Sequence, residues 1–287
     1  MFQVKIAVIG GSGLYNMKGF TPSGEVYPDT PFGKPSDNIT IGRLGGQEVA
    51  FLPRHGRGHR LLPTEIPVRA NIWALKALGV ERIIAVNSVG SFRDEIKPGE
   101  LLIPDQLIDR TRQRTSTFFG DGVVAHVPFG DPFCPELSGA IRAAGRDMGV
   151  ALHEGGAYLV MEGPAFSTRA ESRLYRSWGA DVIGMTALPE AKLAREAEIC
   201  YSLIACVTDY DSWREEKEPI TFNVILDIMK RNIETAQQII QRAVAGLPEA
   251  RACACPRALE TAIATSPAAI TAEQRQKLGL LIDKYVH

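Results

Sequence analysis

The sequence predicts an α/β fold built around one central β-sheet. Short apolar, β-rich runs alternate with helical patterns along the chain, and those runs end in glycines, small polar residues or charged loops. At 287 residues with 45% hydrophobic and 23% charged content, the chain is long and apolar enough to bury a sizeable core. A single domain over 1–287 is the simplest organisation, with 250–287 serving as a linker and C-terminal helix placed to contact a neighbouring subunit.

Each element has a local reason. "VKIAVIG" is a buried strand that enters a glycine turn, and "EVAFLPRHG" is a strand that ends in a basic loop. "PVRANIWALKALG" has helical spacing and stops at Gly79. "RIIAVNSVGS" is the next strand, and "LLIPDQLID" is a strand pair or one bent strand. Helical spacing returns over 135–149; "GAYLVMEG" and "ADVIGM" are then buried strands around a helix over 168–177, whose Thr168 and Glu171 make a capping box. "PEAKLAREAEI" is helical, "CYSLIACVTD" is a strand, and 221–245 is a long amphipathic helix. After a connection over 250–271, a last helix runs through 271–286 with Thr271 and Gln274 as its capping box. This alternation implies a mostly parallel sheet with ligand chemistry at the carboxyl ends of its strands.

Net charge is −1 and no Lys/Arg-rich run tracks a phosphate backbone, so no nucleic-acid partner is expected, while a pocket for one small anion is allowed. The N-terminal apolar run enters glycines at once and lacks a cleavage-site pattern, and no stretch approaches the length needed to span a bilayer. A cytoplasmic protein without a membrane partner is the expectation. The five cysteines, Cys134, Cys200, Cys206, Cys253 and Cys255, are odd in number, widely spaced and without C-x-x-C, which argues against a zinc ribbon or a secreted disulfide framework. Buried or incidental thiols are the plain reading, with the Cys-Ala-Cys at 253–255 set apart.

"GGSGLY" after the first strand lacks the third glycine of a dinucleotide fingerprint, since Asn16 stands there; what remains is a turn whose amides and Ser12 hydroxyl suit a small anion. "PRHGRGHRLLP" gathers Arg54, His55, Arg57, His59 and Arg60 in one loop. Gly56 and Gly58 break any helix between the histidines, so no metal is expected and a phosphate or carboxylate fits better. "VNSVGS" brings Asn87 and Ser88 to another strand end, where small residues let amides approach a ligand. Phe166 sits in a turn before a capped helix, a place from which it stacks on a planar ring or plugs the core, and Met185 closes a strand beside Thr186.

In "VTDYDSW" the carboxylates of Asp209 and Asp211 are two apart, so a strand's period aims both to one side. Adenine offers an amino donor at N6 and an acceptor at N7, which a carboxylate and a carboxylic acid match together. Burial and like-charge proximity both favour one proton held between such a pair. A 6-oxo purine offers acceptors at both places and is served badly.

Taken with "RHGRGH", "NIWALK", "EIKPGEL", "QLIDRT", "EGPAFSTRAES", "WGADVIGMT" and "PEAKLAREAEICY", these segments run nearly end to end in order. The chain resembles the trimeric-type purine nucleoside phosphorylases, most closely the branch acting on 5'-methylthioadenosine. The resemblance implies a phosphorylase fold with a mixed, distorted central sheet flanked by helices, assembled as a trimer or a dimer of trimers. It implies reversible phosphorolysis of 5'-methylthioadenosine to adenine and 5-methylthioribose 1-phosphate, with inorganic phosphate as a substrate and neither metal nor organic cofactor. The alternative within the family is action on adenosine, inosine, guanosine or 5'-methylthioinosine. Carried over residue by residue, Ser12, Arg54, His55, Asn87, Ser88 and Thr186 resemble phosphate ligands and Met185 the ribose contact. Phe166, Asp209 and Asp211 resemble the base site, with Asp209 the acid at N7. His126 from a neighbouring subunit, with Phe222, Ile225 and Leu226, is similar to the methylthio pocket. The chain departs from relatives at Ala165, where many carry Arg, at Gly184, where some carry Asn, and at Asn87, where some carry Thr. The Cys-x-Cys resembles one found in heat-stable archaeal members, in which cysteines at places like Cys134, Cys200 and Cys206 form bridges.

Overall fold

The computed structural model describes residues 3–11, 14, 17–214 and 222–286, with side chains of 222–226 excepted. Among the described residues eleven strands form one sheet: β1 Ile6–Gly10, β2 Thr21–Val26, β3 Ile39–Leu44, β4 Gln47–Pro53, β5 Arg82–Ser91, β6 Leu101–Ile103, β7 Gln106–Arg110, β8 Leu152–Glu154, β9 Ala157–Met161, β10 Val182–Gly184 and β11 Cys200–Asp209. Six α-helices accompany them among the described residues: α1 Val68–Ala77, α2 Pro135–Asp147, α3 Arg169–Ser177, α4 Ala187–Glu196, α5 Phe222–Gly246 and α6 Ala272–Ile282.

The sheet branches at β5. Its first residues, Arg82 to Ala85, pair in parallel with β1, while Gly90 and Ser91 pair antiparallel with β10. Along its other edge β5 pairs in parallel with β11 from Arg82 to Gly90. From Val86 to Val89 the first edge carries no strand among the described residues, so the sheet opens there, at the carboxyl ends of β1 and β4. This fork is the distortion that the resemblance implies. The sheet is mixed: the two ladders joining β2, β3 and β4, together with the β5–β10 and β6–β11 ladders, are antiparallel.

Two apolar layers hold the helices on opposite faces. Ile72, Leu75, Leu188 and Leu193 of α1 and α4 pack with Ile83, Leu203 and Val207 in one core. Leu137, Ile141, Ile239, Ile240 and Val244 of α2 and α5 pack with Ile84, Ile204 and Cys206 in the other. Full burial of each such side chain contributes about 1.5–3 kcal/mol, offset by the entropy of ordering it. Both expected capping boxes form, Thr168 with Glu171 and Thr271 with Gln274. Gly79 ends α1 at φ +88°, a left-handed turn that lets Val80 N–H reach the Leu75 carbonyl at 3.0 Å.

The segment "LLIPDQLID" is the strand pair β6 and β7. Strands β2, β3 and β8 are absent from the sequence-based reading. β2, "TPSGEV", is mostly exposed and carries Pro and Gly, so it has no alternating apolar pattern to find. β8 has three residues and no buried position. The last helix is shorter than 271–286, and the connection before it contains two short 3-10 turns, Cys255–Arg257 and Pro267–Ala269.

Candidate active site

Beneath the fork lies a buried ion pair. Arg54, just past β4, is 2% exposed, and its guanidinium forks onto Glu190 of α4: Nε donates to Oε1 and Nη2 to Oε2 at 3.0 Å. Nη1 donates to the Val86 carbonyl at 3.0 Å, and the Tyr201 hydroxyl donates to Glu190 Oε2 at 3.0 Å. Burial works against the Arg54 charge, and the Glu190 carboxylate more than offsets it. Three of the five guanidinium N–H groups are thereby used within the protein.

His55 follows, 8% exposed, with Nδ1 2.9 Å from the Leu61 carbonyl. Burial, helped by the Arg54 charge, pulls its pKa down to about 4, so the ring is neutral near pH 7. A carbonyl at Nδ1 selects the tautomer whose Nε2 is an acceptor. The His59 ring stacks on it at 4.3 Å between centroids.

At the open stretch of β5, Asn87 is buried and Ser88 is exposed in the middle of a central strand, which marks the space above the fork. Asn87 Nδ2 donates to the Tyr158 hydroxyl at 3.2 Å, while its Oδ1 has no partner among the described residues. The Tyr158 hydroxyl also takes a bond from the Thr186 backbone, and burial raises its pKa to about 12, so it keeps its own proton to donate. Gly184 is required here: a Cβ would lie 2.0 Å from the Tyr158 hydroxyl oxygen. Tyr158 therefore occupies space that a larger residue at 184 would claim.

The two aspartates meet at Gly90. β11 shifts register between Val207 and Asp209 and ends there, and Asp211 lies in the following turn. Both acids nonetheless back onto the same glycine, because a Cβ at Gly90 would sit 3.0 Å from Asp209 Oδ1 and 3.2 Å from Asp211 Cβ. Convergence thus comes from a bulge and a turn, not from plain strand alternation. The Thr208 hydroxyl lies 2.7 Å from Asp209 Oδ2. Burial raises the Asp211 carboxyl above its ordinary value, and its Oδ2 has no partner among the described residues. Two bonds fix the turn: Ser212 Oγ donates to the Ser167 carbonyl at 2.8 Å, and Trp213 Nε1 donates to the Ser91 carbonyl at 2.7 Å.

Arg114 ties the ends of β9 and β10 to the start of α4. Its guanidinium donates to the carbonyls of Met185, Leu188, Met161 and Glu162, with Leu188 O at 2.7 Å and Met161 O at 3.3 Å.

A model of the phosphorylase superfamily matches residues 5–245. The chain belongs to the phosphorylase superfamily. It is 56% identical over 282 residues to the S-methyl-5'-thioadenosine phosphorylase of Geobacter sulfurreducens, covering 98% of this chain and 99% of that protein. Among solved structures, a methylthioadenosine phosphorylase from an antarctic soil metagenomic library superposes with TM-score 0.94 at 47% identity, covering 98% of this chain and all of that one. Methylthioadenosine phosphorylase from Schistosoma mansoni, in complex with adenine, gives TM-score 0.80 at 36% identity, covering 85% of this chain and 91% of that one.

In this phosphorylase the fold brings Arg54 and His55 just past β4, Met185 and Thr186 just past β10, and Asn87 and Ser88 within β5 to the fork, with Asp209 and Asp211 beside them; Asn87 and Ser88 lie mid-strand and not at the strand end the sequence suggested, because β5 continues to Ser91. Phe166 lies on the loop bonded to Ser212 and is 82% exposed. His126 is exposed and bonds through its amide to the Ala262 carbonyl at 2.8 Å, beside the C-terminal segment and without a described contact to the strand ends. Ser12 lies outside the described residues; Phe222, Ile225 and Leu226 begin α5, and their side chains lie outside them too. Surface cavities of about 210 Å³, beside Ile66, Arg114 and Pro189, and about 340 Å³, beside Phe51 and Arg57, contain neither aspartate. Glu190, Tyr158, Tyr201 and Arg114 escaped the sequence reading. Their partners are 11 to 136 residues away along the chain, and only an acid, two tyrosines and an arginine among buried apolar runs hinted at them.

Proposed function

We propose that this protein catalyses reversible phosphorolysis of 5'-methylthioadenosine, giving adenine and 5-methylthioribose 1-phosphate. The observation that carries the reading is the pair of carboxyl groups of Asp209 and Asp211 backed onto Gly90 beside the open stretch of β5. The names of the relatives at 47–56% identity agree with it. In this reading an oxygen of Asp211 accepts from the N6 amino group, and Asp209 in its acid form donates to N7. As the C1'–N9 bond breaks, positive charge grows on the ribose and electrons flow into the purine. Phosphate stabilises the first, and the proton at N7 stabilises the second.

Phosphate is held by Ser12, Arg54, His55, Asn87, Ser88 and Thr186. Because Glu190 already neutralises Arg54, the anion meets the remaining guanidinium N–H groups and neutral donors, and neutral His55 Nε2 accepts from a P–OH. Met185 lies against the ribose and Phe166 against the base. His126 of a neighbouring subunit, with Phe222, Ile225 and Leu226, covers the methylthio group. The protein works as a trimer or a dimer of trimers, and the 82% exposed Phe166 supports a site completed by ligand and neighbour together. Light scattering coupled to size exclusion checks this, with a mass of three or six chains expected and a monomer contradicting it. An apolar 5' pocket rejects a hydroxyl only modestly, so adenosine is a slower substrate.

The test is base release from 5'-methylthioadenosine, adenosine, 5'-methylthioinosine and inosine, each with and without phosphate. Phosphate-dependent adenine release, fastest from 5'-methylthioadenosine, is expected. Faster turnover of the 6-oxo nucleosides would move the assignment to an inosine or guanosine phosphorylase.

A further inference from the structure

The end of β11 opposite the aspartates holds a second cluster of reactive side chains, and no role in phosphorolysis falls to it. Cys200 opens β11, Cys134 is the N-cap residue of α2, and Cys253 and Cys255 lie on the segment that follows α5. Cys134, Cys200 and Cys255 are buried and Cys253 is half-buried, and their four Sγ atoms all lie within 4.8 Å of one another. Cys200 and Cys253 stand 3.3 Å apart, far beyond the roughly 2.0 Å of a disulfide. Buried thiols gain little from mutual hydrogen bonds, since S–H is a weak donor and sulfur a weak acceptor.

We propose that these four thiols form a closed tetrathiolate site for a zinc ion. Zinc–thiolate bonds of about 2.3 Å in a tetrahedron separate the sulfurs by about 3.8 Å, which lies between the 3.3 Å pair and the 4.8 Å limit of the cluster. Binding releases four thiol protons to solvent and leaves two net negative charges on the site. Arg82, the register partner of Cys200 in the β5–β11 ladder, puts a buried cation on the same side of the sheet, ion-paired with Glu136 at 3.5 Å and Glu81 at 3.7 Å and with its Nε left without a hydrogen-bond partner among the described residues. The first turn of α2 adds the positive end of a helix beside Cys134. Sulfur fills all four positions, which makes the site structural. It joins the chain beyond α5 to α2 and to the sheet, where Ala252 N–H already donates to Glu136 Oε2 at 2.7 Å and Arg251 Nη1 to the Glu198 carbonyl at 2.8 Å. The spacing hides the site from sequence, because two ligands come from a Cys-x-Cys and the other two from separate elements.

The test begins with elemental analysis of the full-length protein, purified without chelator. One zinc per chain is expected, with the four thiols unreactive to an alkylating reagent until a strong chelator is added. Metal-free protein reloaded with cobalt(II) should show the thiolate charge-transfer and tetrahedral d–d bands of an S₄ site. Paired replacement C253S/C255S should abolish both signals, whereas C206A, a buried cysteine outside the cluster, should keep them. Metal-free protein whose denatured mass is lighter by two hydrogens per bridge would show disulfides instead and overturn the proposal. Free, promptly reactive thiols with no cobalt uptake by the wild type would overturn it as well. Neither readout depends on catalysis.

Discussion

Arg54, Glu190 and Tyr201 lie buried against one another and satisfy one another, whereas Asn87 Oδ1 and Asp211 Oδ2, also buried atoms, have no hydrogen-bond partner among the described residues. The first set closes the floor beneath the fork in the sheet, and the second borders the open strand ends above it. An unpaired buried polar atom costs on the order of 1–3 kcal/mol. Groups left in that state are poised for a ligand, while the saturated set supplies the rigidity that holds them. Perturbing the floor should therefore change stability first, and perturbing the rim should change substrate handling first.

The sharpest way to break this contrast is Glu190→Gln. It leaves the buried Arg54 cation without its counter-charge, and the expected loss is about 3–5 kcal/mol, read as a lowered midpoint in urea unfolding. A loss near zero would mean that the pair is not the floor. His55 supplies the next largest effect. Its folded pKa of about 4 lies below the ordinary His value of about 6.5, so between these pH values the unfolded chain binds more protons. Stability accordingly rises with pH across that window by up to about 3 kcal/mol, and His55→Gln should flatten the rise. A wild-type profile already flat from pH 4 to 6.5 would contradict a neutral buried ring.

At the rim, Asp211→Asn should leave stability unchanged or raised, because it removes a carboxyl that burial already disfavours in its charged form. The ratio of kcat/KM for aminopurine over 6-oxopurine nucleosides should fall by about tenfold to a hundredfold, the equivalent of the 1–3 kcal/mol of one unpaired contact. An unchanged ratio would remove Asp211 from base selection. Smallest of all, Tyr158→Phe deletes the acceptor that Asn87 and Thr186 share and should raise the KM for phosphate several-fold, from about 1 kcal/mol of lost positioning. An unchanged phosphate KM would place Tyr158 with the structural set.

The rim was far more legible in the sequence than the floor. Asp209 and Asp211, and Arg54 and His55, stand at or just past the ends of apolar strands, and Asn87 and Ser88 interrupt one with small polar residues, so local pattern alone marks them as candidates. Glu190 sits 136 residues from Arg54, and nothing in "PEAKLAREAEI" distinguishes its buried acid from the solvated Glu of an ordinary helix face. Tyr158 and Gly184 read as core residues until the fold sets one against the other. Strands β5 and β11 matched their apolar runs at both ends because both faces of each are buried, while β2 escaped because an exposed edge strand needs no apolar pattern.

The central claim is that the aspartate pair recognises adenine and protonates it as it leaves. The most direct measurement is phosphate-dependent base release by Asp209→Asn set against wild type, on 5'-methylthioadenosine and 5'-methylthioinosine side by side. The account predicts that adenine release falls on the order of a hundredfold or more, as expected for loss of a positioned acid, while hypoxanthine release falls much less because the Asn amide donates to a 6-oxo purine. Adenine release at the wild-type rate, or equal losses on both substrates, would contradict it.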